Sequence, residues 1–211
     1  MSYAMKQQKQ EMKSGDEPFH TECTHAGFSL LDYWQWAESD LLNNTRRAII
    51  AEFLVARAVG ATDKPRVEWA KVDVVTPEGV EIEVKSSAYV QSWAQRGPSD
   101  ITFDIAPRKE TWDPATNETV THNPPRRMAD TYVFCVLGDE AGTVPDPLDL
   151  ADWKFYVAAT SLLNRERPIG QRGSDSIGIR PLAALIRKAT GMDAVGFDGL
   201  REAIQQADTR Q

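Results

Sequence analysis

The run TYVFCVL, Thr131–Leu137, leaves this chain few ways to fold. Side chains alternate between the two faces of a strand, and from Tyr132 to Leu137 both faces are apolar. Such a strand needs cover above and below, so it predicts the centre of a sheet flanked by helices. Val67–Thr76 and Val80–Ser86 read as the two strands of a hairpin, Ile101–Ile105 as a third strand and Trp153–Ala159 as a fifth. Between the third strand and the central run, residues 106–128 are rich in Pro, Asn, Thr and charge and read as a long loop.

Helical periodicity comes before and after these strands. Leu30, Leu31, Trp34, Ala37 and Leu41 or Leu42 recur at three- and four-residue steps. Asn43, Asn44 and Thr45 offer capping oxygens for a second helix, with Ala48, Ile49, Phe53, Leu54, Ala56 and Val59 on its apolar stripe and Gly60 as its stop. Short helices are expected near 161–164, 180–190 and 197–207. Residues 1–26 are polar and aperiodic and read as a flexible tail, with 27–211 as one domain. The fold class is therefore α/β (α+β), with a central mixed sheet of about five strands.

Composition narrows the class. With 41% hydrophobic and 26% charged residues, the 211-residue chain has the profile of a soluble globular domain. Its net charge of −7 argues against non-specific coating of nucleic acid, though not against an enzyme that acts on it. Charge is unevenly placed: residues 161–190 carry Arg165, Arg167, Arg172, Arg180, Arg187 and Lys188 against Glu166 and Asp175. Two cysteines cannot build a disulfide framework, and no apolar run suits a membrane or a secretory signal, so a cytoplasmic location is expected. His20, Cys23 and His25 lack a second ligand pair and read as chance polar neighbours.

The chemistry is expected in the hairpin. Its loop, Pro77-Glu78-Gly79, is a three-residue connection with glycine last, which pairs Thr76 with Val80. Counting back sets Asp73 opposite Glu83. Opposed carboxylates repel unless a cation lies between them. Facing Asp and Glu oxygens suit Mg²⁺ or Mn²⁺. Lys85, two residues beyond Glu83, projects to the same face. Glu52, on the preceding helix, is a carboxylate close to an apolar stripe.

Asp73, then Glu83-Val84-Lys85, preceded by the helical Glu52, resembles the PD-(D/E)XK nuclease superfamily, the restriction-endonuclease-like proteins. The resemblance covers roughly residues 43–137. It implies a core in which a helix leads into an antiparallel meander, with a further helix and strand following, and Mg²⁺-dependent hydrolysis of DNA phosphodiesters. It implies Asp73, Glu83, Glu52 and the Val84 backbone carbonyl as metal ligands and Lys85 as the residue that serves the water. No proline precedes Asp73, a departure from the family pattern.

Ser87 and Gln91 keep the strand parity of Lys85, as Glu81 does, and are candidate auxiliary residues. Arg46, Arg47, Arg126 and Arg127 are candidate contacts to a nucleic-acid backbone. A homodimer would suit a double-strand cutter. The residues also admit a module on the same fold that binds nucleic acid without cutting it, or an acidic protein-interaction surface.

Overall fold

The computed structural model describes residues 8, 10–113 and 115–208; residues 1–7 and 9 of the expected tail lie outside it. The elements in chain order are β1 (Pro18–His20), β2 (His25–Ser29), α1 (Leu30–Glu38), α2 (Asn44–Val59), β3 (Val74–Val75), β4 (Glu81–Ala88), β5 (Thr102–Asp104), β6 (Arg108–Asp113), β7 (Glu118–Arg126), β8 (Thr131–Leu137), β9 (Trp153–Ala159), α3 (Thr160–Glu166), β10 (Ser176–Gly178), α4 (Ile179–Thr190) and α5 (Phe197–Ala207).

The largest sheet has the order β3-β4-β8-β9, with β4 and β8 parallel and the other pairs antiparallel. Every residue of β8 is buried. Its odd-numbered side chains Val133, Cys135 and Leu137 pack with Ile82 and Val84 of β4, Trp153 and Phe155 of β9, and the buried faces of α2 and α5. Its even-numbered Tyr132, Phe134 and Val136 pack with Leu162 and Leu163 of α3, Leu182 and Ile186 of α4, and Phe103 and Ile177. The domain is thus three layers, helix on sheet on helix, as an all-apolar strand requires.

Helix α2 forms where expected. Asn43 caps it by accepting the Thr45 N–H at 3.0 Å, and Gly60 ends it in the left-handed region at φ 76°. Its buried stripe is Ala51, Leu54, Val55 and Val59, whereas Phe53, assigned to that stripe from periodicity, is 55% exposed.

Three expectations are corrected. The central sheet has four strands because β4 is already paired on both edges, to β3 and to β8, so β5 cannot join there and pairs with β10 instead. Residues 106–128 are not a loop: β6 and β7 form a long antiparallel hairpin. Most of its residues are exposed, so no alternating apolar face marks it in the sequence. Among the described residues no helix lies between β4 and β8; the parallel crossover is made by β5 and that hairpin. Within the expected tail, Pro18–His20 pairs with His25–Ser29, and Phe19 and Phe28 meet with ring centroids 4.9 Å apart. No helix among the described residues is long and apolar enough to cross a membrane.

Arg127 fastens the base of the β6–β7 hairpin to the layer containing α3. It is 5% exposed and donates to the Ile105 carbonyl (2.8 Å), Asn164 Oδ1 (2.7 Å), the Arg167 carbonyl (3.1 Å) and the Ser174 carbonyl (3.1 Å). Removing it strands four acceptors and opens a void. Arg127→Ala should therefore lose about 3 kcal/mol of stability in urea denaturation. A loss below about 1 kcal/mol, the range of an ordinary surface change, would contradict this role.

Candidate active site

The hairpin turn sets the geometry. Gly79 takes φ 86°, its N–H reaches the Thr76 carbonyl at 2.8 Å, and the Thr76 N–H reaches the Val80 carbonyl at 3.0 Å. The register is Val75 with Glu81 and Val74 with Ile82. The ladder ends there: Asp73 is the residue before it, and its N–H reaches the Ile82 carbonyl at 3.1 Å, one residue from Glu83. The chain bends through 71–73, which cuts β3 to two residues and turns the Asp73 carboxylate onto β4. There Asp73 Oδ2 accepts the Val84 N–H at 2.7 Å.

Burial and charge at this point are unusual. Glu83 is 5% exposed. The Asp73 carboxyl is pushed up to about 6, first by burial and then by the Glu83 charge; the Val84 N–H pulls the other way, Glu52 adds to the rise and Lys85 opposes it. The other three residues of the expected constellation therefore all act on Asp73 through space. Burial, and then the Glu83 charge, raise the Tyr132 phenol far above its ordinary value, so Tyr132 beside Glu83 stays neutral.

Glu83, Glu52 and Glu81 are each matched by a basic side chain, whereas Asp73 is met by a backbone N–H. Lys85 Nζ lies 2.9 Å from Glu83 Oε1, and Arg108 Nη2 lies 3.0 and 3.2 Å from the two Glu83 oxygens. Arg66 holds Glu52 with bonds of 2.5 and 3.0 Å. Lys71 holds Glu81 at 2.6 and 2.8 Å, which turns Glu81 into a half-exposed surface pair. Among the described residues no three His, Cys, Asp or Glu side chains stand together as one ion-binding group. The donor set that remains fits a small hard cation: Asp73 and Glu83 are neighbouring oxygen donors, and Mg²⁺ is commonly held by one or two carboxylates with water completing its shell. Arg66 and Arg108 escaped the sequence reading because they lie in segments without periodicity, and Lys71, though inside the expected first strand, carries nothing that marks which carboxylate it will meet.

The other candidates separate. Ser87 stays on the β4 face of Lys85, half-buried. Gln91 lies past the end of β4 and joins a different network: its Oε1 accepts from Arg47 at 2.9 Å and its Nε2 donates to the Ala88 carbonyl at 2.8 Å. Arg47 is 4% exposed and also bonds Asn44 and the Leu42 carbonyl. Arg47 and Arg127 are therefore internal braces, withdrawn from any phosphate. Arg46 is half-buried against Glu38 and the Ala37 carbonyl, while Arg126 is exposed across the hairpin from Arg108. Clefts between α3 and α4 and beside α5 include none of Asp73, Glu83 and Lys85.

The family described as Bacteriophage T4 endonuclease IV matches residues 7–174, well over half of the chain and a span that contains the whole carboxylate cluster. Comparisons with curated proteins and with solved structures gave no match.

The raised Asp73 carboxyl has a signed consequence in metal-free protein. Above about pH 6 the native state carries the cost of a buried charge beside Glu83. As pH falls through 6 towards 3.8, the native state takes up a proton that the unfolded chain does not yet bind, and the cost fades. Asp73→Asn should therefore stabilise the protein in EDTA at pH 7.5 by about 1–3 kcal/mol, with the gain shrinking towards pH 4. Urea denaturation at the two pH values checks this; a loss of stability at pH 7.5 would contradict the mutual repulsion.

Proposed function

The chain belongs to the bacteriophage T4 endonuclease IV family, and from that premise we propose that it is a divalent-metal-dependent DNA endonuclease of the PD-(D/E)XK type. The observation that carries the reading is the approach of the Asp73 carboxylate to β4, where it accepts the Val84 N–H and feels the Glu83 charge, with Lys85 Nζ 2.9 Å from Glu83. A plain surface hairpin favours opposite charges at neighbouring cross-strand positions. Two neighbouring carboxylates in a half-dry setting make sense when a cation is to be held.

In this reading Asp73 and Glu83, with the Val84 carbonyl, hold Mg²⁺ or Mn²⁺, and Glu52 adds negative potential from α2. The bound ion supplies Lewis acidity and lowers the pKa of a coordinated water. Lys85 donates hydrogen bonds from Nζ to the attacking water and to the phosphate oxygen on which charge builds. Hydrolysis forms one bond from the water oxygen to phosphorus and breaks one phosphodiester P–O bond, with a proton passing to the leaving oxygen. The helix-to-hairpin order α2, β3, β4 and the Glu83-Val84-Lys85 step support the superfamily assignment. The crossover through β5 and the β6–β7 hairpin is a departure from its usual helical connection.

Plasmid and single-stranded DNA, incubated with Mn²⁺, Mg²⁺ or EDTA, test the proposal. Wild type should cut only with metal, and Lys85→Ala should lose about 10²-fold or more of the rate while still binding DNA. Equal cutting by both proteins contradicts the role of Lys85. DNA binding without cutting under every metal condition would instead favour a non-catalytic module.

A further inference from the structure

Glu83 is buried, and both of its oxygens are already taken. Lys85 reaches Oε1, and Arg108 Nη2 reaches Oε1 and Oε2 at 3.0 and 3.2 Å. Any ion that ligates Glu83 must share these crowded oxygens with two cationic groups or displace one of them. The two basic partners differ in how easily they leave. Lys85 rises from β4 itself, two residues from Glu83, and its side chain is 26% exposed. Arg108 comes from the root of the β6–β7 hairpin, outside the central sheet, and its side chain is 41% exposed. Its other hydrogen bond runs to the Lys71 carbonyl at 3.2 Å, from a guanidinium with solvent on one side.

From this arrangement we infer that Arg108 is a placeholder for the metal ion: it neutralises Glu83 in the metal-free protein and is displaced when a divalent cation binds. The inference rests on the metal-dependent reading above and concerns how that site is loaded. A buried carboxylate left without a counter-charge costs several kcal/mol. The exchange keeps Glu83 paired at every stage. A half-exposed guanidinium recovers hydration as it leaves, so the swap costs less than it would for a buried arginine. Because Arg108 stands at the base of the hairpin, metal binding also releases the tie between that hairpin and β4.

Calorimetric titration of the full-length, metal-free protein with Mn²⁺ tests this. Arg108→Ala should bind Mn²⁺ about tenfold more tightly than wild type, because the ion no longer competes with a guanidinium. Lys109→Ala, which removes a neighbouring charge that does not touch Glu83, should leave the affinity unchanged. Asp73→Asn should abolish binding. If Arg108→Ala does not fold, Arg108→Gln carries the same expectation while keeping a neutral donor for the Lys71 carbonyl. Unchanged or weaker binding in the Arg108 variant, with wild type still binding, overturns the placeholder and leaves the metal site standing. Equal tightening by Lys109→Ala overturns it in favour of bulk charge. Absence of binding by every protein removes both the placeholder and the metal-dependent reading.

Discussion

Two carboxylates brought near each other beside a tight hairpin turn are the constraint around which the rest of this site is arranged. Asp73 and Glu83 raise each other's energy, and burial makes the repulsion worse. The fold answers with three devices. A backbone N–H from Val84 is aimed at Asp73, Lys85 is placed beside Glu83, and Arg108 is brought in from a separate hairpin. Each lowers the cost of holding negative charge there, and none removes the charge itself. On the proposed function, a cation taken up there would lower that cost further.

The rigidity of the pair comes from β8. Because this strand is covered on both faces, β4 is clamped along its whole length in parallel register with it, from Ile82 opposite Thr131 to Ala88 opposite Leu137. Glu83 and Lys85 therefore project from the second strand of a packed sheet rather than from a free edge. Asp73 is less constrained, one residue outside a two-residue strand. Its position depends on the Gly79 turn and on its own bond to Val84. Arg108 reaches Glu83 from outside the sheet, from the exposed hairpin, with its side chain 41% exposed.

Much of this was legible in the sequence, and the reasons are local. The Asn43 cap, the Gly60 stop and the Pro77-Glu78-Gly79 turn are short-range chemistry, and turn length alone set Val75 against Glu81 and Val74 against Ile82. The double-sided apolar run announced β8 at its full length. What was not legible depends on long-range placement. The β6–β7 hairpin is mostly solvent-exposed, so its strands show no alternation. Arg47 and Arg127 carry the same side chain as a surface phosphate contact, and only the fold shows that both are buried among neutral acceptors. Gln91 kept the parity of Lys85 in the sequence, but β4 ends at Ala88 and the amide turns to Arg47.

The account stands on one claim: that the space between Asp73 and Glu83 is where a divalent ion binds. Anomalous diffraction from crystals soaked in Mn²⁺ tests it most directly. The predicted result is a peak about 2–2.3 Å from oxygens of both Asp73 and Glu83, with the Arg108 guanidinium withdrawn from Glu83. A peak held by other residues, or Arg108 still paired to Glu83 with no ion between the carboxylates at saturating Mn²⁺, would contradict it.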